Sequence, residues 1–267
     1  MHYAYQERRI IRPLLIVLLW IQFALGLGYA CIVMGMMATD PAPLIDDTIQ
    51  LSDPQLAALI SIFGLAILDL LCYIPSVVFF CMWIHRANRN ARALGAHTMT
   101  YSPGWSVGWF FIPIANLVMP CLVTCEIARA SDPNTTGDRW HLGVLPGIIP
   151  LWWVVWVLGG LLTQISWRLD GSPDLLAMGV WVDAFGSLLG AGAALLAILV
   201  IQRITKDQRE KARRTPDVAG GVCMNCAYDL RGSNGTHCPE CGTPIPGRDD
   251  FTIYPADEQP PDPYASY

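Results

Sequence analysis

Long apolar runs separated by short charged stretches dominate the pattern of hydrophobic and polar positions along this chain. Four of these runs exceed the roughly 20 apolar residues that a helix needs to cross a bilayer. A segment in lipid must satisfy its backbone hydrogen bonds internally, so runs of this length predict α-helices. We predict an all-α membrane protein whose four transmembrane helices cover about residues 13–38, 54–84, 142–167 and 174–202.

A fifth apolar stretch, residues 104–125, is rich in Trp and Pro and is also long enough to cross the bilayer. Basic residues indicate how the chain is threaded, because loops on the cytosolic side are enriched in Lys and Arg. They cluster at residues 8–12, 86–92 and 203–214, whereas residues 39–53 carry four Asp and no basic residue. The three basic clusters are therefore expected in the cytosol and the acidic loop outside.

An even number of crossings must separate the basic clusters at 86–92 and 203–214 if both are cytosolic. The runs at 142–167 and 174–202 already supply two crossings. We therefore predict that residues 104–125 form a re-entrant or interfacial segment that packs against the helices, with both termini in the cytosol. The alternative is a five-span protein, in which residues 104–125 cross and the C-terminus lies outside.

The composition agrees with a membrane location, since 53% of the residues are hydrophobic and only 15% are charged. Ordinary soluble domains carry about 25% charged residues. The basic N-terminus leads into an apolar run that is longer than the core of a cleaved signal peptide. We predict a retained signal-anchor helix and a membrane domain that covers residues 1–214.

Four cysteines near the C-terminus carry the clearest chemical signal in the sequence. They form two Cys-x-x-Cys pairs that eleven residues separate, a spacing typical of a tetrahedral zinc site. Four thiolates leave no coordination position open for water, so we expect a structural Zn²⁺ rather than a catalytic one. The predicted ligands, in a zinc ribbon at residues 221–247, are Cys223, Cys226, Cys238 and Cys241.

Charge argues against nucleic acid as the partner of this ribbon. Arg231 and Arg248 are outnumbered by neighbouring acidic residues, which is not an electrostatic footprint for a phosphate backbone. Residues 248–267 are acidic and rich in Pro, so we expect a disordered tail. A protein partner that binds the ribbon or the tail is the interaction that we expect.

Two acidic residues lie inside predicted spans. Asp69 is near the middle of the second span, and Asp183 is in the outer part of the fourth. Carboxylates in lipid are costly and often mark an ion or proton path, so a transporter or channel that uses both is one interpretation. The alternative is a hydrogen bond between helices or a protonated carboxyl group.

Gly186 and Gly190 form a small-xxx-small stripe in the fourth predicted span. Such stripes let the backbones of two helices approach closely. The stripe predicts either close packing within the chain or a homo-oligomer.

A dense signature occupies residues 83–133. It reads Trp83-Ile-His-Arg86-Ala-Asn-Arg-Asn90, then Ser102-Pro-Gly-Trp105-Ser-Val-Gly-Trp109-Phe-Phe-Ile-Pro113-Ile-Ala-Asn116, then Glu126 and Arg129-Ala-Ser-Asp-Pro133. This signature resembles the uncharacterised bacterial membrane family known as domain of unknown function 4328, over roughly residues 15–205. The resemblance implies about four spans in a bacterial inner membrane and supplies no activity.

The signature also indicates a pocket beside the lipid on the cytosolic side. Its Arg and Asn pair is one helical turn apart and is placed to hold a lipid phosphate. Its two Trp are also one turn apart, as in the aromatic belts of the head-group layer, and an amide in an apolar stretch needs hydrogen-bond partners. The residues predicted at this pocket are Arg86, Asn90, Trp105, Trp109, Asn116 and Glu126.

The sequence contains no His-Glu-x-x-His, no Gly-x-Ser-x-Gly and no phosphate-binding glycine loop, motifs that would indicate an enzyme. We therefore expect a non-enzymatic, multi-pass protein of a bacterial inner membrane, an interaction or scaffold protein that carries a cytosolic zinc ribbon. One alternative is a transporter or channel for ions or small solutes. The other is a protein that binds or handles membrane lipids.

Overall fold

The computed structural model describes most of the chain up to the end of the last long helix, and part of the cysteine-rich region. The described residues are Tyr5, 10–39, 52–135, 137–169, 173–214, Cys223, Tyr228, Leu230 and 235–244. They contain six α-helices: α1 Ile11–Thr39, α2 Asp53–Ala93, α3 Trp105–Gly108, α4 Met119–Ala130, α5 Ile148–Leu169 and α6 Leu176–Arg214. Short 3₁₀ turns cover Trp109–Phe111, Ala115–Leu117, Gly137–Leu142 and Pro173–Leu175. The predicted disordered tail, 248–267, lies outside the described residues.

Four helices, α1, α2, α5 and α6, are long and apolar enough to cross a membrane. The described residues form no strand, so the predicted all-α membrane fold with four spans is confirmed. Helix α1 packs between α2 and α6, and α5 packs on the other side of α6. One buried cluster joins Ile11 of α1, Ile84 of α2, Ile149 of α5 and Ile201 of α6. The starts of α1 and α5 therefore meet the ends of α2 and α6.

Helices α2 and α6 are longer than a bilayer requires. They have 41 and 39 residues, or about 60 Å each at about 1.5 Å per residue, against a hydrocarbon core of about 30 Å. Their polar ends continue beyond the bilayer. Residues 94–147, which connect α2 to α5, pack over this end of the helices. We call residues 94–147 the cap.

The predicted interfacial segment, 104–125, forms part of the cap and contains no continuous helix. Helix α3 has four residues and α4 has twelve, which is too few to cross a bilayer. Between them, Ile112 has an extended backbone, the conformation favoured before a proline. Part of this segment exposes its apolar side chains, as an interfacial position requires, whereas Val123 is fully buried. The exposed apolar residues are Trp105, Phe111, Ile112, Ile114, Leu117, Val118 and Leu122.

Three polar side chains hold the loop that joins α2 to α3. Arg92 and Asn88, both near the end of α2, donate to the carbonyl oxygen of Tyr101 at 3.0 and 2.9 Å. The buried carboxylate of Glu126 accepts the backbone N–H groups of Thr100 at 2.6 Å and of Tyr101 at 3.1 Å. Glu126, which the signature places among the pocket residues, thus anchors this loop from α4.

Two buried side chains fasten the overhanging end of α6 to the cap. Gln208 Nε2 donates to the carbonyl oxygen of Ala87 at 2.8 Å and to Ser131 Oγ at 3.0 Å. The side chain of Lys211, a residue that is only 1% exposed, donates from Nζ to the carbonyl oxygen of Ala130 at 2.9 Å. Because these hydrogen bonds offset the cost of burying polar groups, the end of α6 is a fixed part of the fold.

Asp132 orders the loop that follows α4. Its carboxylate accepts the backbone N–H groups of Asn134 and Val144, each at 2.9 Å. Burial raises the pKa of Asp132, but the hydrogen bonds from Asn134 and Val144 and the charge of Lys211 outweigh this effect, so the pKa lies below its ordinary value. The ionised carboxylate is therefore the form that stabilises the loop.

We expect Asp132→Asn to lower the free energy of unfolding by about 1–3 kcal/mol near neutral pH. A carboxyl group whose pKa is lower in the folded than in the unfolded protein stabilises the fold above the unfolded pKa. That contribution is lost as the pH falls through the folded pKa. Thermal unfolding in detergent, scanned from neutral to acidic pH, should show a smaller loss of stability for Asp132→Asn than for the unchanged protein. The exposed Asp174 provides the matched control, Asp174→Asn, and equal acid sensitivity in all three proteins would contradict this role of Asp132.

Gly186 lies at the contact between α5 and α6. A Cβ atom at Gly186 would lie 3.2 Å from Thr163 Oγ1 and 3.4 Å from Leu162 Cβ. A Cβ atom at Gly190, by contrast, would meet nothing within 4 Å. The first glycine of the stripe thus packs α5 against α6 within one chain, and the homo-oligomer through both glycines stays a prediction.

This difference predicts unequal effects of the same substitution at the two glycines. Gly186→Leu should destabilise the protein by about 1–3 kcal/mol, because the added side chain overpacks the contact with α5. Gly190→Leu places the same side chain in open space and should have little effect. Thermal unfolding of both variants in one detergent measures the difference, and a larger loss of stability for Gly190→Leu would show that this glycine packs against a second chain.

Candidate functional site

A cavity of about 390 Å³ opens beside the last turns of α2, at the capped end of the helices. One face of α2 forms its longer wall, because residues three or four apart lie on the same side of a helix. This wall is apolar at the end nearer the bilayer centre and basic at the end nearer the cap. Its residues, in that order, are Cys81, Met82, His85, Arg86, Arg89 and Asn90.

The opposite wall is a turn of the cap that is held against α2. His85 Nδ1 lies 2.8 Å from the carbonyl oxygen of Pro103, and this nitrogen carries the proton because a carbonyl only accepts. The hydroxyl of Ser106 donates to the same carbonyl at 2.6 Å. Gly104 and Val107, on either side of this turn, line the cavity. The cavity is therefore formed by contacts within the protein itself.

The structure brings two of the predicted pocket residues, Arg86 and Asn90, together in this cavity. Both also border a smaller cavity that Arg12 and Thr205 line. The larger cavity adds His85 and Arg89, which are not among the predicted site residues. His85 and Arg89 directly precede Arg86 and Asn90 in the sequence, and the members of each pair are four residues apart. This shared helical spacing is the signal that could have identified them.

The remaining aromatic and amide residues of the signature lie farther along the cap. The rings of Trp105 and Trp109 are 4.8 Å apart at their centroids, and Trp105 is 53% exposed. Trp109 Nε1 and Asn116 Oδ1 are buried and have no hydrogen-bond partner among the described residues. Trp153 of α5 donates to the carbonyl oxygen of Leu117 at 2.9 Å. Helix α5 thus holds the segment that contains Asn116.

The two intramembrane acids lie at different levels of the helices. Asp183 accepts a hydrogen bond from the hydroxyl of Tyr29 at 2.5 Å, a contact between α6 and α1. The neighbouring Ala184 is buried in one cluster with Ile62 of α2. Asp69 follows Ile62 by seven residues, which is about 10 Å along a helix. No sequence pattern predicts the contact between Tyr29 and Asp183, because 154 residues separate them.

Three of the four predicted metal ligands come together near the C-terminus. The sulfur atoms of Cys223, Cys238 and Cys241 lie within 4.8 Å of one another. A tetrahedral ion with metal–sulfur bonds of about 2.3 Å sets its sulfur ligands about 3.8 Å apart. Gly242, at φ +66°, donates its N–H to the carbonyl oxygen of Cys238 at 2.8 Å and closes the turn around the second pair. The cluster can therefore hold a metal ion; Cys226 lies outside the described residues.

We expect the purified protein to contain about one divalent metal ion per chain, as four thiolates bind one tetrahedral ion. Cys223→Ser should remove most of this metal, because a hydroxyl group is a poor ligand where a thiolate is required. Elemental analysis of the full-length protein measures the content. The matched control is Cys31→Ser, since Cys31 is exposed on α1. Equal metal content in both variants would contradict the site.

The comparisons with known proteins identify one family. The model of a family described as Domain of unknown function (DUF4328) matches residues 47–206, which is more than half of the 267 residues. The match includes α2 to α5, the cap and most of α6, and it begins after α1, later than the resemblance over 15–205 implies. No curated protein and no solved structure matches the chain.

Proposed function

The chain belongs to the DUF4328 family, and we propose that it is a non-enzymatic membrane scaffold that presents a zinc ribbon to a cytosolic protein. The observation that carries this proposal is the fixed end of α6. Gln208 and Lys211 bind it to Ser131 and Ala130 of the cap, and Arg214 Nη1, at its last residue, donates to Asn134 Oδ1 at 3.0 Å. The membrane domain therefore provides a rigid base for the chain that follows Arg214.

The cysteine cluster follows this base at a short distance along the chain. Eight residues, 215–222, separate Arg214 from Cys223, and a chain of this length reaches at most about 30 Å. The metal-binding module thus stays near the cap. A module of this size has too small a core to fold alone, so the ion gives it a defined surface for a partner.

The distribution of charge supports the cytosolic side for the cap, the ribbon and both termini. The capped end carries the basic residues in the last turns of α2 and α6, whereas residues 39–53, from the end of α1 to the start of α2, carry four Asp and no Lys or Arg. Loops rich in Lys and Arg stay in the cytosol. The cytosol also keeps thiols reduced, as zinc binding requires. A multi-pass position in a bacterial inner membrane fits this arrangement.

A transporter receives less support from the geometry. Asp69 and Asp183 lie at different depths, and Asp183 already accepts a hydrogen bond from Tyr29. A hydrogen bond between helices accounts for the acid in α6 without an ion path. The scaffold proposal needs no role for either acid.

The scaffold proposal predicts a cytosolic protein in contact with the ribbon. A photo-crosslinking amino acid in place of Tyr228, whose side chain is exposed, should form a discrete adduct with a cytosolic protein in cells. The adduct should disappear when Cys223→Ser is added, because the ribbon then loses its ion, while the amount of protein in the membrane stays the same. Mass spectrometry of the adduct identifies the partner.

The same crosslinker in place of Leu142, which is 70% exposed on the cap, is the matched control. It should not form the adduct that depends on Cys223. An adduct at both positions, or none at Tyr228 while the ribbon holds its metal, would show that the ribbon is purely structural.

A further inference from the structure

We propose that the cavity beside α2 binds the phosphate group of an anionic lipid, and that an acyl chain of this lipid lies along α2. The described residues that line the cavity all belong to α2 and the cap. This site therefore goes beyond the scaffold function and can be tested apart from it.

The basic end of the cavity has the chemistry that a phosphate requires. Arg86 and Arg89 supply two guanidinium groups, which stay charged at physiological pH and pair with phosphate oxygens through parallel hydrogen bonds. Asn90 adds a side-chain amide that can donate a hydrogen bond. Among the described residues, none that line the cavity is acidic. An anion is thus favoured over a neutral or cationic ligand.

The apolar end of the cavity continues into a stripe on the lipid-facing side of α2. Leu71, Ile74, Val78 and Met82 recur at helical spacing, and they are 63%, 59%, 52% and 42% exposed. Met82 follows Leu71 by eleven positions, or about 16 Å along the helix, close to the depth of one leaflet, about 15 Å or half of the hydrocarbon core. A lipid whose phosphate occupies the cavity would lay its acyl chain along this stripe. A free phosphate would leave the stripe unused.

The depth of the cavity agrees with a lipid head group. Trp105, next to the cavity residue Gly104, is 53% exposed, and exposed Trp marks the interface between water and hydrocarbon. Phe111 and Ile114, farther along the same segment, are 67% and 85% exposed, as expected for side chains that enter the hydrocarbon. Lipid phosphates lie at the level between these two regions.

The cavity exists before a ligand enters it. His85 and Ser106 both hold the carbonyl oxygen of Pro103, which fixes the turn that faces α2. A Cβ atom at Gly104 would meet nothing within 4 Å, so the backbone there tolerates a side chain that would project into open space. Because Gly104 lines the cavity, Gly104→Leu adds bulk at the cavity wall without changing its charge.

The test measures binding of phosphatidylglycerol to the full-length protein in detergent by native mass spectrometry. Two variants address the site independently: the double variant Arg86→Gln and Arg89→Gln removes the charge, and Gly104→Leu reduces the space. Each should weaken binding about tenfold, whereas the control Arg203→Gln should change it by less than about twofold. Arg203 is a suitable control because Arg203→Gln also removes a positive charge at the same end of the helices, from a side chain that is 57% exposed.

Two further arms identify the occupant. Zwitterionic phosphatidylcholine should bind more weakly than phosphatidylglycerol and without dependence on Arg86 and Arg89, and inorganic phosphate should not displace the anionic lipid. Unchanged phosphatidylglycerol binding in Gly104→Leu and in the arginine variant would overturn the proposal. Displacement by inorganic phosphate, or equal binding of the two lipids, would overturn it as well. Cys223→Ser should retain full lipid binding, because the proposed lipid site does not depend on the metal ion. The lipid-binding result therefore stands whether or not the ribbon binds a protein partner.

Discussion

The buried contact between the end of α6 and the cap is the interaction on which the rest of this structure depends. The last turns of α6 leave the bilayer, and an isolated helix of that length is only marginally stable in water. Gln208 and Lys211 replace water with carbonyl and hydroxyl partners on α2 and α4. The same contact therefore fixes the direction in which the chain proceeds toward its cysteine cluster and joins α2, α4 and α6 into one unit.

The cap differs from the surface of a soluble domain on both of its sides. Its inner side buries apolar residues such as Val123 and Ile127 and also meets buried polar groups, Glu126 of the cap itself, Asn88 of α2 and Lys211 of α6, each of which is bonded to backbone carbonyl or N–H groups. Its outer side exposes Phe111 and Ile114. In water this arrangement would expose an apolar patch, but at a membrane surface it places apolar groups in lipid. The cap is thus a part of the fold that requires the bilayer as much as the spans do.

Parts of this structure follow from the sequence because they depend on local patterns. Run length predicts the four spans. The positions of the basic residues favour a segment at 104–125 that does not cross, and Pro113 and Pro120 interrupt a regular helix there. The two Cys-x-x-Cys pairs likewise predict the cluster that contains Cys223. Arg86 and Asn90 are one turn apart, and for that reason the sequence places them together.

Other parts depend on contacts between distant segments and have no local signal. Lys211 looks like any basic residue beyond a last span, yet it is buried against Ala130, 81 residues earlier in the chain. Tyr29 and Asp183 meet only because α1 and α6 pack together. Glu126 shares the signature with Arg86, but it bonds to the loop backbone. The eight-residue connection after Arg214 has a further consequence. Any molecule that the ribbon bound would stay close to the cap, at an effective concentration on the order of millimolar, so that a second contact with lipid or the cap would be largely occupied even with a Kd somewhat below about 1 mM.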